Sequence, residues 1–277
     1  MYSSRSRINR DSCIITVCSG KGGAGKTTVA RILVELFKTK FKTIAVDAVS
    51  GLSGISSFFE FRPTGRKSFG NFLSGQGSVS DYVYRLDRLD IIPSFTDGTI
   101  EDLGLERDYE RIGELADYIR DNYELGIIDT PSSFDLGLYN YLRASDIILI
   151  LTESGYQSIV NGYAICKMAS SIIPRPAIHF FLNLVNSDRD FDDFNVKMPM
   201  LTEAFLGDSY DAIGFLKFDE QYFNSPGEGE FNSMLWNSNK ENLMVFSSCL
   251  EEKMALRKAG ISEGSAVSAT PGKVDKT

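Results

Sequence analysis

The run Gly20-Lys21-Gly22-Gly23-Ala24-Gly25-Lys26-Thr27-Thr28 places two lysines and two threonines among four glycines, and its spacing satisfies the phosphate-loop pattern GxxxxGK[ST]. Glycine lets the chain turn tightly enough for successive backbone N–H groups to converge on phosphate oxygens, and a helix starting directly afterwards adds its positive N-terminal end. In that pattern Lys26 neutralises the β and γ phosphates of a nucleotide and Thr27 holds Mg²⁺. Such a site also needs a carboxylate for the metal at the end of a neighbouring buried strand, and Leu125-Gly126-Ile127-Ile128-Asp129-Thr130-Pro131 supplies Asp129. An aspartate that ends a strand is by itself most often a turn or cap residue. The phosphate loop upstream is what makes this one a metal ligand. Asp47 ends a second apolar run, Thr43 to Asp47.

A phosphate loop works only between a strand and a helix, and the flanking residues predict both. Cys13 to Cys18 is an apolar, strand-sized run, and Lys26 to Lys40 sets Val29, Ile32, Leu33, Leu36 and Phe37 on one helical stripe. Further strands are expected at Leu89 to Ile92, Leu125 to Asp129, Asp146 to Thr152, Ala177 to Val185 and Ala212 to Phe218. A helix is expected from Asp108 to Asn122, with Tyr109, Ile112, Leu115, Ala116 and Ile119 as its apolar stripe. Continuous apolar strands suit a parallel sheet covered on both faces, so the expectation is α/β: one P-loop NTPase domain with a mostly parallel sheet of about seven strands and helices on both faces. It spans residues 12–258, between disordered tails at 1–11 and 259–277. Gly51 to Ser80 and Asn186 to Gly207 interrupt the alternation and read as surface loops and short helices or, functionally, as switch or partner-binding segments, the latter carrying the acidic cluster Asp188, Asp190, Asp192 and Asp193.

Composition narrows the chemistry. The 29 Lys and Arg against 37 Asp and Glu give a formal net charge of -8, which disfavours wholesale coating of a polyanion. His179 is the one histidine of the chain, so multi-histidine zinc sites cannot be built. The four cysteines Cys13, Cys18, Cys166 and Cys249 lack CxxC spacing and suggest a reducing cytoplasm. No apolar run approaches the roughly 20 residues that span a bilayer.

Ser19 to Thr28, with Lys21 placed directly after the first glycine, resembles the deviant Walker A motif KGGxGKTT of the MinD/ParA family of P-loop ATPases. The resemblance implies that Gly20, Lys21, Gly22, Gly23, Ala24, Gly25, Lys26, Thr27 and Thr28 bind nucleotide. It also implies that Lys21 reaches across a homodimer to the partner's phosphates, and that Lys21, Lys26 and Asp47 serve catalysis. Asp129 resembles the Walker B aspartate, a metal ligand with Thr27, and Asp129-Thr130-Pro131 is similar to the DTPP-type switch II. Phe180 to Val185 resembles the strand whose Asn-Arg end contacts adenine; only Asn183 carries over, because Leu184 replaces the arginine. No NKxD guanine motif occurs, which favours ATP with Mg²⁺ as the cofactors. Ile213 to Glu220 is similar to the family's Ile-Gly-x-x-Pro-x-Asp, with Lys217 at the proline position. The resemblance spans residues 12 to 257.

One departure bears on turnover. Relatives carry Asp-x-Asp after the second strand, whereas this chain reads Val46-Asp47-Ala48-Val49-Ser50-Gly51-Leu52. Valine can neither accept a hydrogen bond nor orient water, so ATP binding is expected to persist while hydrolysis is slow or partner-dependent.

The segments Gly51-Leu52, Phe69 to Gly75 and Leu89 to Pro93 run like the MinD/FlhG (FleN) branch. The last helical stripe, Leu243, Phe246, Leu250 and Met254, is mixed with Glu241, Glu251 and Glu252 and reads as a helix packed on the domain rather than a membrane anchor. Basic residues such as Arg62, Arg66, Lys67, Arg85 and Arg88 are scattered among acidic neighbours, so a protein partner is favoured over nonspecific DNA or a membrane surface. The resemblance thus implies a cytoplasmic, ATP-dependent dimerising switch in spatial regulation, placing flagella, the division site or another structure, recruited to a cell pole or the inner membrane surface through a partner. Two alternatives stay open: a scaffold that holds ATP without hydrolysing it, and a ParA-type DNA- or cargo-partitioning ATPase.

Overall fold

Eight strands form one sheet in the computed structural model, which describes residues 12–49, 54–59, 61, 67–75, 77–94, 105–132, 136–172, 177–220 and 233–259. The expected tails, apart from Ala259, and Gly51, Leu52, Arg62 and Arg66 lie outside the described residues. In chain order the elements are β1 Cys13–Cys18, α1 Lys26–Phe37, β2 Thr43–Asp47, α2 Phe69–Leu73, β3 Tyr84–Leu86, β4 Leu89–Ile92, α3 Leu105–Asn122, β5 Leu125–Asp129, α4 Leu136–Ala144, β6 Ile147–Thr152, α5 Tyr156–Ile172, β7 Ala177–Val185, α6 Asp188–Leu206, β8 Ala212–Lys217 and α7 Ser233–Lys258. Two 3-10 turns, Ile55–Phe58 and Val79–Tyr82, lie between β2 and β3.

The strand order is β3-β4-β2-β5-β1-β6-β7-β8, and every neighbouring pair is parallel except β3 with β4. All residues of β1, β2, β5 and β6 are buried, as expected of strands covered on both faces. Alternate residues feed opposite layers: Ile15 and Val17 pack with α1 and α7, and Ile14 packs with α3. On that second face α4, α5 and α6 cover β6 and β7 through Leu142, Ile165, Phe180 and Phe194. Helix α7 buries Leu243, Phe246, Leu250 and Met254, each side chain contributing roughly 1.5–3 kcal/mol of transfer free energy. The expectation of a packed last helix therefore matches the structure.

The structure corrects four expectations. The eighth strand, β3, has three residues and joins β4 through Asp87-Arg88, with Arg88 at φ 60°, a hairpin too short to show a period. Helices α4 and α5 were not anticipated. Residues 186–207 are not loops and short helices, because α6 runs for 19 residues, opened by a Ser187–Asp190 capping box and closed by Gly207 at φ 77°. Pro199 inside it and the acidic first turn obscure the pattern. Tyr109, assigned to the buried stripe of α3, is 44% exposed, whereas Ile112, Leu115, Ala116 and Ile119 are buried.

Candidate functional site

The glycine-rich loop connects the carboxyl end of β1 to α1. Gly23 and Gly25 take φ 76° and 89°, the left-handed region in which a side chain is strained, and Gly25 is the residue from which α1 starts. A Cβ on Gly25 would lie 2.1 Å from the Asn183 amide nitrogen, so the loop folds against the end of β7 only because that position has no side chain. Asn183, assigned to adenine, is buried and donates its amide to the Ala24 carbonyl at 2.9 Å, while its oxygen accepts from the Leu184 N–H at 2.9 Å. It thus braces the loop. Leu184 itself sits at φ 57°, beside a register irregularity between β7 and β8.

Strand register brings the acids to the loop. Val17 of β1 and Asp47 of β2 both pair with Asp129 of β5, so the two carboxylates end adjacent strands in one row. Asp129 is fully buried, and neither carboxylate oxygen accepts a well-formed hydrogen bond among the described residues, although the Thr27 hydroxyl and the Ile55 N–H face it. Burial pushes its carboxyl up to about 7; the Thr27 hydroxyl pulls it down, the Asp47 carboxylate adds to the rise, and the Lys26 ammonium opposes it. Asp47 is also fully buried, and burial raises its carboxyl against the hydrogen bonds it accepts. Those come from Ser56 N at 2.9 Å, from Ser56 Oγ and from Val49 N at 3.3 Å. Gly54 permits this closure, since a Cβ there would lie 2.0 Å from Asp47 Oδ1. Val49 reaches Asp47 through its backbone, and its side chain has no polar atom to offer.

Lys26 is buried, which lowers its pKa, while the Asp129 carboxylate works in the opposite direction. Its ammonium donates to Ser19 Oγ at 3.1 Å and to Ser132 Oγ. Ser19 in turn donates to the Lys21 carbonyl at 2.8 Å, which ties the start of the loop to the lysine at its end. The Lys21 side chain leaves the loop outward and pairs with Glu153, just beyond β6. Gly20 admits α5, because a Cβ there would lie 2.8 Å from Asn161 Cβ. Gly22 and Gly23 lie on the exposed side of the loop, and Thr27 and Thr28 are half-buried in the first turn of α1.

The structure therefore gathers Gly20 to Thr28, Asp47, Asp129 and Asn183 at one edge of the sheet. Sequence reasoning missed Ser19, Ser132, Glu153, Ser56 and Gly54. Ser132 and Glu153 had one available signal: each follows a strand at the carboxyl edge, where open α/β sheets bind ligands. Among the described residues no three His, Cys, Asp or Glu side chains form a metal cluster. The donors that fit a divalent cation are the buried Asp129 carboxylate and the Thr27 hydroxyl that faces it, a set that Mg²⁺ would complete with phosphate oxygens.

Residues 12–175 match the AAA domain family. The chain is 26% identical over 198 residues to an uncharacterized ATP-binding protein of Methanocaldococcus jannaschii, covering 69% of this chain and 73% of that protein. It is 21% identical over 210 residues to the antiactivator FleN of Pseudomonas aeruginosa, covering 75% and 74% of the two chains. Among solved structures, the MinC:MinD cell division complex of Aquifex aeolicus aligns with a TM-score of 0.66 at 18% identity, over 87% of this chain and 96% of that one. A plasmid partition protein of Borrelia burgdorferi bound to AMPPNP aligns with a TM-score of 0.63 at 21% identity, over 89% and 99%. These structural likenesses establish the fold. No helix among the described residues is long and apolar enough to cross a membrane.

Proposed function

The chain belongs to the AAA domain family and to its MinD/ParA type of P-loop protein, in the FleN branch, and from that premise we propose that it is an ATP-binding switch acting in spatial regulation. The observation that carries this reading is the buried Asp129 carboxylate, which accepts no well-formed hydrogen bond among the described residues and ends the strand beside Lys26 and Thr27. A buried carboxylate in that condition is costly unless a cation completes it. Thr27 and Asp129 would hold Mg²⁺, which supplies charge neutralisation across the terminal phosphates. The backbone of Gly20 to Gly25 wraps the phosphates, Lys26 neutralises their charge, and Asn183 keeps the loop in shape through Ala24.

Lys21 has the exposure needed to reach a second copy of the chain, which supports an ATP-dependent homodimer presenting a surface to a protein partner. The similarity to FleN, named an antiactivator, supports a protein partner. Val49 supports slow or partner-dependent hydrolysis, since the position has no carboxylate to orient water. The same residue favours a second reading, a scaffold that holds ATP without cycling.

A single-turnover assay separates the two. Protein is mixed with stoichiometric labelled ATP and Mg²⁺, bound ATP and ADP are followed over time, and Lys26→Ala serves as control. ADP formed by the wild type alone makes the chain an ATPase; ATP that stays bound and intact makes it a nucleotide-loaded scaffold. Absence of binding by the wild type sinks both.

A further inference from the structure

We infer that Ser19 is a positioning residue that fixes the two lysines of the phosphate loop relative to one another and so sets the point from which Lys21 reaches a second copy of the chain, a role that rests on the ATP-dependent homodimer proposed above. Ser19 directly follows β1 and is 1% exposed. Its Oγ accepts from Lys26 Nζ at 3.1 Å and donates to the Lys21 carbonyl at 2.8 Å. Both directions are fixed by the partners, because an ammonium can only donate and a carbonyl can only accept. One buried hydroxyl therefore stands between the lysine near the end of the loop and the lysine near its start.

Lys21 is held at both ends, by its carbonyl to Ser19 and by its ammonium, 2.9 Å from Glu153 Oε1. The two holds differ in kind. The Lys21 side chain is 51% exposed, so its pair with Glu153 is weak and exchangeable. The Ser19 oxygen instead receives a charge-assisted bond from Lys26, which polarises its O–H and strengthens the donation to the Lys21 carbonyl. Gly20, between the two residues, is pressed on α5: a Cβ there would lie 2.8 Å from Asn161 Cβ, so the turn cannot relax in that direction. A lysine loses rotamer freedom when an anion captures its ammonium, and a main chain fixed in advance reduces what else must be ordered at that moment. Removing Glu153 frees the tip of Lys21; removing the Ser19 hydroxyl loosens its root. The two substitutions move self-association in opposite directions.

The test compares wild type, Ser19→Ala and Ser19→Thr by two readouts: Mg-AMPPNP affinity in dilute, monomeric protein, and AMPPNP-dependent self-association by sedimentation velocity. In Ser19→Ala the Lys26 ammonium keeps Ser132 as a hydroxyl partner, so nucleotide affinity falls about threefold while self-association weakens roughly tenfold or more, the difference expected between a replaceable and an unreplaced hydrogen bond. Ser19→Thr, which keeps the hydroxyl, restores association. Equal losses in the two readouts overturn the proposal, because Ser19 would then only order the loop around the phosphates. Intact association in Ser19→Ala overturns it as well, and so does a Ser19→Thr variant that melts like wild type yet associates like Ser19→Ala. A wild type that binds AMPPNP without associating overturns the homodimer reading and this role with it; a wild type that binds no AMPPNP overturns the nucleotide site itself, and the two readouts tell these results apart.

Discussion

Lys21 Nζ lies 2.9 and 3.0 Å from the two carboxylate oxygens of Glu153, so the extra lysine of the phosphate loop is paired within its own chain. The side chains are 51% and 22% exposed, which limits the pair to less than about 1 kcal/mol and leaves it easily exchanged for a phosphate. Glu153→Gln should therefore leave the melting temperature almost unchanged while strengthening AMPPNP-dependent self-association several-fold. Sedimentation velocity with and without nucleotide reads this, and identical monomer fractions for wild type and variant would count against a role for Lys21 between two copies.

Val49 presents only its backbone N–H, 3.3 Å from Asp47 Oδ1. Val49→Asp supplies a carboxylate at the position where the sequence resemblance implies a water-orienting aspartate, and single-turnover ADP formation should rise by at least roughly tenfold. An unchanged rate in a variant that still binds ATP removes the assignment.

Asp129 gives the protein a pH-dependent stability. Its folded pKa of about 7 stands above the ordinary value of 3.8, so between these values the native state holds a proton that the unfolded chain has released. The stabilisation is complete below the unfolded pKa and is lost as pH rises through about 7. Urea unfolding in chelator should show wild type losing stability relative to Asp129→Asn across that window. A difference between the two that stays constant with pH would refute the shift.

Gly25 combines φ 89° with the Asn183 amide nitrogen 2.1 Å from where a Cβ would sit. Gly25→Ala should cost roughly 1–3 kcal/mol and abolish nucleotide binding. Adding Asn183→Ala relieves the collision but not the backbone strain, so thermal unfolding of the double variant should recover only part of the loss. Full recovery would mean that backbone conformation is irrelevant there.

Phe246 meets Phe181 with ring centroids 4.7 Å apart and sits over Gly214, where a Cβ would come within 2.8 Å of its ring. Phe246→Ala should destabilise the fold by roughly 3–5 kcal/mol. An unaltered denaturation midpoint would instead describe a helix α7 that detaches from the sheet.

The parts of this protein legible in the sequence are those whose physics is local. The phosphate loop announces itself because a left-handed turn followed by a helix demands glycines, a lysine and a hydroxyl in fixed order, and β1, β5 and β6 announce themselves as unbroken apolar runs. Asp129 is readable because it closes such a run. Helix α6 and strand β3 are not: Pro199 and a charged first turn blur one period, and three residues are too few to carry another.

Tertiary structure alone decided who meets whom at the site. Asp47 and Asp129 stand side by side because β2 and β5 pair in that register. Ser132 and Lys26 meet across 106 positions of chain, Glu153 and Lys21 across 132, and Asn183 and Ala24 across 159. No local pattern encodes those separations; they are fixed when the strands order themselves to bury both faces of the sheet, which brings distant strand ends to one edge.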